Sequence, residues 1–346
     1  MIYALLPECA DGRLRRLPFY LAMEEYLARN FEGEYFFMWQ VEPTVIFGRN
    51  QQMEAEVNTD YCRDRGVEVY RRKSGGGCVY ADRNNIMFSH ITTCSSVAVT
   101  FNAFTETVAG MLREMGIAEA HTTGRNDIMI GDRKVSGYAF YHINLTDRFT
   151  HAPESRAIVH GTMLYDVDLP AMTAAITPSE VKMKAKGVES VRSRVTTIRE
   201  HSAIGIDEFK EFARSRLCDS VLELNMADVE AIEAIAALYY EEEWIAGGRR
   251  HGVGRVPRRR IEGAGEFAVD LVATSDVPQC IDTIDISGDF FLLGDIDRHL
   301  LTPLAGCELS RDALMSRLED INIGNLIPNL QAGQLADMIL EAIGNK

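Results

Sequence analysis

Apolar positions recur every three or four residues over Leu17–Asn30 (LPFYLAMEEYLARN), with Pro18 near the start, and this spacing predicts a helix. Tyr35–Trp39 and Pro43–Phe47 (PTVIF) read as strands, the second closed by Gly48. Over Gly66–Arg72, Val67 and Val69 alternate with polar neighbours, the mark of another strand. A helical stripe of Phe101, Phe104, Val108, Met111 and Met115 runs through Thr100–Met115 and stops at Gly116, a natural left-handed helix end. Asp127–Ile130 and Arg133–Ser136 flank Gly131-Asp132, a pair suited to a type II′ turn, so a hairpin is predicted. A further strand is expected within 156–169 around His160-Gly161-Thr162, with helices near 178–186, 207–217 and 227–242.

The pattern breaks over 245–260 (IAGGRRHGVGRVPRRR), where four glycines, one proline and six arginines show no apolar period. Beyond it, Glu266–Ala273 and Gln279–Ile286 alternate as strands, while 310–320 and 331–343 have helical spacing. The expected organisation is a catalytic domain over 1–244, a linker over 245–257 and a smaller α+β domain over 258–346. The fold class is α/β in the mixed, α+β sense. A length of 346 residues agrees with two domains of roughly 100–200 residues each.

Composition narrows the function classes. Hydrophobic residues make up 46% and charged residues 25%, enough apolar material for a sizeable core. The net charge of −15 argues against a general binder of nucleic acid or anionic membrane. The cysteines (Cys9, Cys62, Cys78, Cys94, Cys218, Cys280, Cys307) are dispersed without a CxxC pair, which fits a reducing compartment better than a disulfide framework or zinc site. MIYALLPECADGRLRR lacks the continuous apolar run of a signal peptide, and no long apolar span follows, so a cytoplasmic protein is expected.

Candidate chemistry is concentrated in a few segments. In Arg71-Arg72-Lys73-Ser74-Gly75-Gly76-Gly77-Cys78-Val79-Tyr80, three glycines let the backbone turn sharply and bring its N–H groups to an anion. The adjacent basic side chains can hold phosphate or carboxylate. This is neither a Walker A loop nor a GxGxxG helix start, because CVYADRNNIMF continues as strand-like sequence. A flexible turn beside a solvated basic patch is the plainer alternative. Lys134 follows the hairpin turn and can face an anionic reaction centre, with Ser136 and Gly137 leaving room for a ligand; spacing alone favours an ordinary surface lysine. His160 can bond a ligand or pack in the core. Lys182, Lys184 and Lys186 read as a basic helix end before Gly187. Asp127 is a candidate ligand for phosphate-bound Mg²⁺, or a turn aspartate. No Ser-His-Asp spacing, HExxH or Cys/His metal cluster occurs in the sequence.

In chain order, RRKSGGGCVY, GRNDIMIGDRKVSGYA, HGTMLYDVDL and KAKGVESVRSRV resemble the lipoate-protein ligase A family of the biotin/lipoate ligase superfamily. PTVIFGRNQ and the Glu24-Glu25 helix are weaker matches, and the resemblance covers about 1–245. IDISGDFF and LLGDIDRHLL in the tail look like the accessory C-terminal domain of the two-domain ligases. The resemblance implies a mixed-sheet biotin/lipoate-ligase-like catalytic domain and a two-step reaction. Lipoate and MgATP would give lipoyl-adenylate and pyrophosphate, and the acyl group would then pass to a lysine of a lipoyl domain. The implied acceptors are lipoyl domains of 2-oxoacid dehydrogenase complexes or the glycine cleavage H protein, with no nucleic-acid or membrane partner.

By position, Lys134 matches the family lysine at the carboxylate–phosphate junction. Arg72 and Gly77-Cys78-Val79-Tyr80 match the nucleotide-contacting block, and Gly75 and Gly76 the mouth of the acyl tunnel. Asn126, Asp127, Ser136, Gly137, Ala139 and His160 match positions around the adenylate, and Lys186 matches the lysine of a loop associated with it. Ser74, Asn85, Gly161 and Thr162 complete the expected binding set. The sequence departs from the family at Cys78, Ala81, Asn84 and Tyr138, the last expected to narrow or reline the pocket. The other readings are an acyltransferase of the same fold using a preformed acyl-adenylate or acyl-carrier donor, and a non-catalytic lipoyl-domain-binding protein. No cysteine lies between Cys94 and Cys218 to act as the nucleophile some such transferases use.

Overall fold

The structure, a computed structural model, describes residues 1–8, 12–93, 97–124, 126–146, 153–176, 194–247 and 257–344. The helix over Leu17–Asn30 forms as its spacing predicts, with Pro18 in the first turn where a fixed φ suits helix entry. It buries nearly all its residues, Glu24 and Glu25 included.

Eight strands build one mixed sheet. They are β1 (Ile2–Leu5), β2 (Tyr35–Trp39), β6 (Asn85–Thr93), β7 (Ala120–Thr122), β8 (Asp127–Ile130), β9 (Arg133–Thr146), β10 (Pro153–Leu164) and β11 (Ser220–Glu223), in the order β11-β1-β2-β6-β10-β9-β8-β7. A small second sheet, β4-β3-β5, joins β3 (Thr44–Phe47), β4 (Glu68–Arg71) and β5 (Val79–Ala81). Alternation splits the large sheet cleanly. Phe37, Trp39, Met87 and Ile158 pack with the helix Leu17–Asn30, while Phe36, Phe88 and Val159 pack with the helices Val97–Glu114 and Ile206–Leu217.

The smaller C-terminal domain has its own core around Phe267, Leu300, Leu314 and Leu335. Its antiparallel sheet orders β12 (Arg258–Ile261), β13 (Gly265–Ala273) and β14 (Ile281–Phe290), backed by the helices Arg311–Ile321 and Ala332–Gly344.

Several elements differ from the sequence reading. β9 runs ten residues past Ser136 to Thr146, since YAFYHINL keeps apolar side chains on both faces of a buried strand. The helix expected over 227–242 is Met226–Ala236, a 3₁₀ turn Ala237–Tyr240 and a short helix Glu242–Ala246. β12 begins inside the stretch that lacks an apolar period, because Arg258 pairs with Glu266 across the sheet instead of filling a core. β1, β7 and β11 are too short to show a period. The helix expected near 178–186, Lys186 and residues 248–256 of the expected linker lie outside the described residues. No helix among the described residues is long and apolar enough to cross a membrane.

Candidate active site

Register across the large sheet defines a row of side chains on one face. Trp39 pairs with Met87, Met87 with Thr162, and Thr162 with Gly137. Four strands at a spacing of about 4.8 Å make this row about 14 Å long. It lies in a cavity of about 1090 Å³ that Leu21, Ile46 and Met87 make apolar on one side and Asn126, Asp127 and Lys134 make polar on another.

Lys134 reaches that cavity through a backbone irregularity. The hairpin closes as predicted, with Ile130 opposite Arg133, Gly131 at φ 59° and Asp132 outside the left-handed region, as a type II′ turn requires. Just beyond the turn the register shifts: Met129 pairs with Lys134, but Ile128 pairs with Ser136. The extra residue on β9 is a bulge, and it breaks the alternation. Val135 therefore joins the buried cluster of Tyr138 and Phe140, and Lys134 falls on the face of Gly137. A Cβ at position 137 would lie 2.4 Å from the Lys134 Nζ, so Gly137, which lines the cavity, makes room for the lysine there. The ammonium pairs with Asp127 at 2.6 Å. Residues 195–196 run alongside, with the Thr196 N–H donating to the Lys134 carbonyl at 2.8 Å.

The basic triplet does not form a solvated phosphate clamp. Arg71 and Arg72 are buried, and burial pushes both guanidinium groups down to about 10. Arg72 donates to the carbonyls of Ile46 (2.9 Å), Gly75 (2.7 Å) and Gly77 (2.7 Å) and to Ser74 Oγ (2.9 Å). Arg71 donates to the carbonyls of Arg49, Gln51, Ile245 and Ala246, which ties the end of the helix Glu242–Ala246 to residues 49–51. Lys73 pairs with Glu25. Arg72 holds the loop's shape by satisfying carbonyls that the glycine turn leaves without strand partners.

Gly75, unlike Gly76 and Gly77, does not line the cavity. A Cβ there would sit 2.2 Å from the Phe290 carbonyl oxygen of the C-terminal domain, and the Gly76 N–H donates to that same oxygen at 3.1 Å. Gly76 and Gly77 do line the cavity, as do Cys78, Val79 and Tyr80. Phe291 stacks on Phe140 at 5.5 Å, so the C-terminal domain seals one flank of the site.

Ser74 is fully buried and links the loop to the sheet. Ser74 Oγ lies 2.6 Å from His160 Nε2, and His160 Nδ1 lies 3.0 Å from both carboxylate oxygens of Glu24. Ser89 donates to Glu24 at 2.6 Å, and Trp39 Nε1–H donates to Ser89 Oγ at 2.9 Å. The sequence shows no serine–histidine–acid spacing because these partners stand 86 and 136 residues apart. The chain is not a nucleophilic triad: Ser74 Oγ has no exposed surface and accepts from Arg72. It is a positioning network, and His160 is its member on the cavity wall.

Of the remaining expected residues, Asn126, Ala139, Gly161 and Thr162 line the cavity. Asn126 Nδ2 donates to the Tyr138 carbonyl at 3.2 Å, and Ser136 is fully buried. Asn85 is buried with Nδ2 donating to the Tyr80 carbonyl at 3.0 Å, which makes it a support of the strand turn. Tyr138 lines the cavity, as expected of a residue that relines it. Its ring is buried edge-on to Phe104 and lies where a Gly161 side chain would be, on the opposite face from Trp39 and Met87.

His142 also borders the cavity, and burial holds its imidazole below the usual histidine range. The unfolded chain then binds this proton more readily than the folded one. Folded stability is expected to fall as pH drops through about 6.5, where the unfolded imidazole charges. Urea unfolding of wild type and His142→Gln between neutral and mildly acidic pH checks this, the variant showing the shallower slope.

Among the described residues no group of three or more side chains is placed to hold a metal ion. Mg²⁺ carried on phosphate oxygens needs only one or two protein carboxylates, and Asp127 on the cavity wall suits that demand.

Comparisons with known proteins agree with this architecture. The lipoyl protein ligase A/B catalytic domain family matches residues 17–217, and the bacterial lipoate protein ligase C-terminus family matches 258–339. Lipoate-protein ligase LplJ of Bacillus subtilis is 30% identical over 92% of this chain and 95% of its own. Lipoate–protein ligase 1 of Staphylococcus aureus is 34% identical over 83% and 85%. In fold, the chain resembles P. falciparum LipL1, solved with lipoate (TM-score 0.72, 19% identity, 100% and 99% covered). It also resembles a lipoate-protein ligase A bound with ATP (TM-score 0.57, 23% identity, 71% and 98% covered). The class is thus an acyl-ligase enzyme with a mixed-sheet catalytic domain and a smaller C-terminal domain. Within it, the chain belongs to the lipoyl protein ligase A/B family, in its two-domain form.

Proposed function

We propose that the protein is an ATP-dependent lipoate–protein ligase. The observation that carries this reading is the Lys134 ammonium, held at Asp127 in the same cavity as the Gly76-Gly77 backbone and the apolar row from Trp39 to Gly137. A medium-chain acid laid along that row brings its carboxylate to Lys134. There a fixed cation stabilises the charge that develops as the carboxylate attacks the α-phosphate of ATP. Lys134 acts as an electrostatic clamp and forms no covalent bond. Asp127 would hold Mg²⁺, which when bound screens the phosphate charge. A flank closed by Phe291 limits water and so protects the mixed anhydride.

The acceptor in this reading is the lysine of a lipoyl domain, from a 2-oxoacid dehydrogenase complex or the glycine cleavage H protein. The chain is also similar in fold to a solved bipartite lipoate protein ligase and its E2 lipoyl domain from Thermoplasma acidophilum (24% identity, TM-score 0.58, 73% and 98% covered). The reading also takes 1–244 as catalytic domain, 245–257 as linker and 258–346 as accessory domain, supported by the two family matches. It places the protein in the cytoplasm.

The test supplies purified protein with lipoate, MgATP and a lipoyl domain. It measures lipoate-dependent ATP–pyrophosphate exchange and the lipoyl mass added to the acceptor, and both are expected. Transfer from preformed lipoyl-adenylate without any exchange would replace this reading with the transferase one. Absence of both would leave only a lipoyl-domain-binding protein.

A further inference from the structure

One wall of the cavity belongs to the C-terminal domain. On β12, Arg258 and Arg260 are two residues apart and so share a face. Arg258 is committed to Glu56, at the end of the helix Met53–Glu56, at 2.5 Å and to Glu266 of its own sheet at 2.8 Å, which ties that strand to the rest of the chain. Arg260 lines the cavity, is half-buried, and makes no hydrogen bond or ion pair with a described residue.

Its base is rigid. Arg260 enters the turn 261–265, where Gly263 has φ 80° and Gly265 φ 138°, and Asn329 Nδ2 fastens the Gly263 carbonyl at 3.1 Å. A Cβ at Gly265 would lie 2.2 Å from the Asp289 carbonyl oxygen, so the turn is pressed against β14.

Charge separates Arg260 from the other cations. The described lining carries Arg72, Lys134, Arg194 and Arg260 against Glu56, Asp127, Asp132 and Asp289, four charges of each sign. A polyanion entering a balanced cavity needs a cation free to turn towards it. Arg72 is spent on carbonyls, Lys134 is paired with Asp127, and Arg194 has partners. Among the described cations of the cavity, Arg260 is the unengaged one.

We infer that Arg260 is the C-terminal domain's ligand for the pyrophosphate portion of the nucleotide. This rests on the ligase reading above. In activation, a carboxylate oxygen of the acid bonds to the α-phosphorus, the bond from phosphorus to the bridging oxygen breaks, and its electron pair leaves on pyrophosphate. A guanidinium offers two N–H donors in a planar fork to that departing charge. Transfer to the acceptor lysine involves no pyrophosphate, so Arg260 serves the first step alone.

The experiment uses full-length wild type, Arg260→Ala and Arg260→Lys. It measures lipoate-dependent ATP–pyrophosphate exchange, inhibition by added inorganic pyrophosphate, and transfer from preformed lipoyl-adenylate to a lipoyl domain. Arg260→Ala is expected to lower kcat/KM for ATP in exchange by roughly 10- to 100-fold, and to weaken pyrophosphate inhibition by a similar factor. Transfer from the adenylate should be unchanged. Arg260→Lys should fall between, since it keeps the charge and loses the fork. Unchanged exchange and inhibition would overturn the assignment while the ligase reading stands. An equal loss in transfer, or a raised KM for the lipoyl domain, would make Arg260 a structural or docking residue and overturn it as well. A wild type without exchange would end the ligase reading and this assignment together.

Discussion

Lys134→Ala is expected to lower lipoate-dependent ATP–pyrophosphate exchange by about 100- to 1000-fold. Two anions must meet when a carboxylate attacks a phosphate, and a cation already in place stabilises the developing charge without the reorganisation that water would need. The bulge beside Val135 and the missing side chain at Gly137 put that cation on the cavity face. Lys134→Arg should recover little, because the space above Gly137 is already filled by the lysine chain. Folding should hardly change: the pair with Asp127 is partly exposed, and such pairs contribute about 1 kcal/mol or less. Exchange assays run beside urea unfolding curves separate the two effects. Near-normal exchange from a well-folded Lys134→Ala would remove the lysine from the mechanism.

The largest expected loss of stability is that of Glu24→Ala, about 3–5 kcal/mol. Glu24 has no exposed surface and accepts from Ser89 while its two oxygens face His160. Removing the carboxylate leaves the buried Ser89 hydroxyl and His160 Nδ1 without their partner, and an unmade buried bond costs its full desolvation. Since His160 holds Ser74, and Ser74 is bonded to Arg72, the glycine loop should loosen as well. Glu24→Gln keeps an acceptor for Ser89 and should lose less. Chemical unfolding measures both; an alanine variant as stable as wild type would show that the network does not hold the loop.

How far the sequence reaches depends on how local each interaction is. The helix Leu17–Asn30 and the Gly131-Asp132 hairpin are legible because their causes, apolar spacing and turn chemistry, lie within a few residues. The motifs RRKSGGGCVY and GRNDIMIGDRKVSGYA likewise carry the family resemblance on contiguous residues. Tyr138 shows where that reach ends. As a bulky residue next to Gly137 it suggests a relined pocket, but only the strand alternation shows that its ring enters from the face of Phe104, over Gly161.

The sequence by itself determined the family, the elements with a clear apolar period or turn signal, and Lys134 and the triple glycine as candidate residues. Only the tertiary structure decided what each charged group does. It spends Arg71 and Arg72 on loop carbonyls, joins Glu24 to a histidine 136 residues away, and brings Arg260 from the C-terminal sheet to the cavity wall. The physical reason is that a charge takes its role from the partners that desolvate and neutralise it. Those partners come from strands and domains that meet only when the chain is folded.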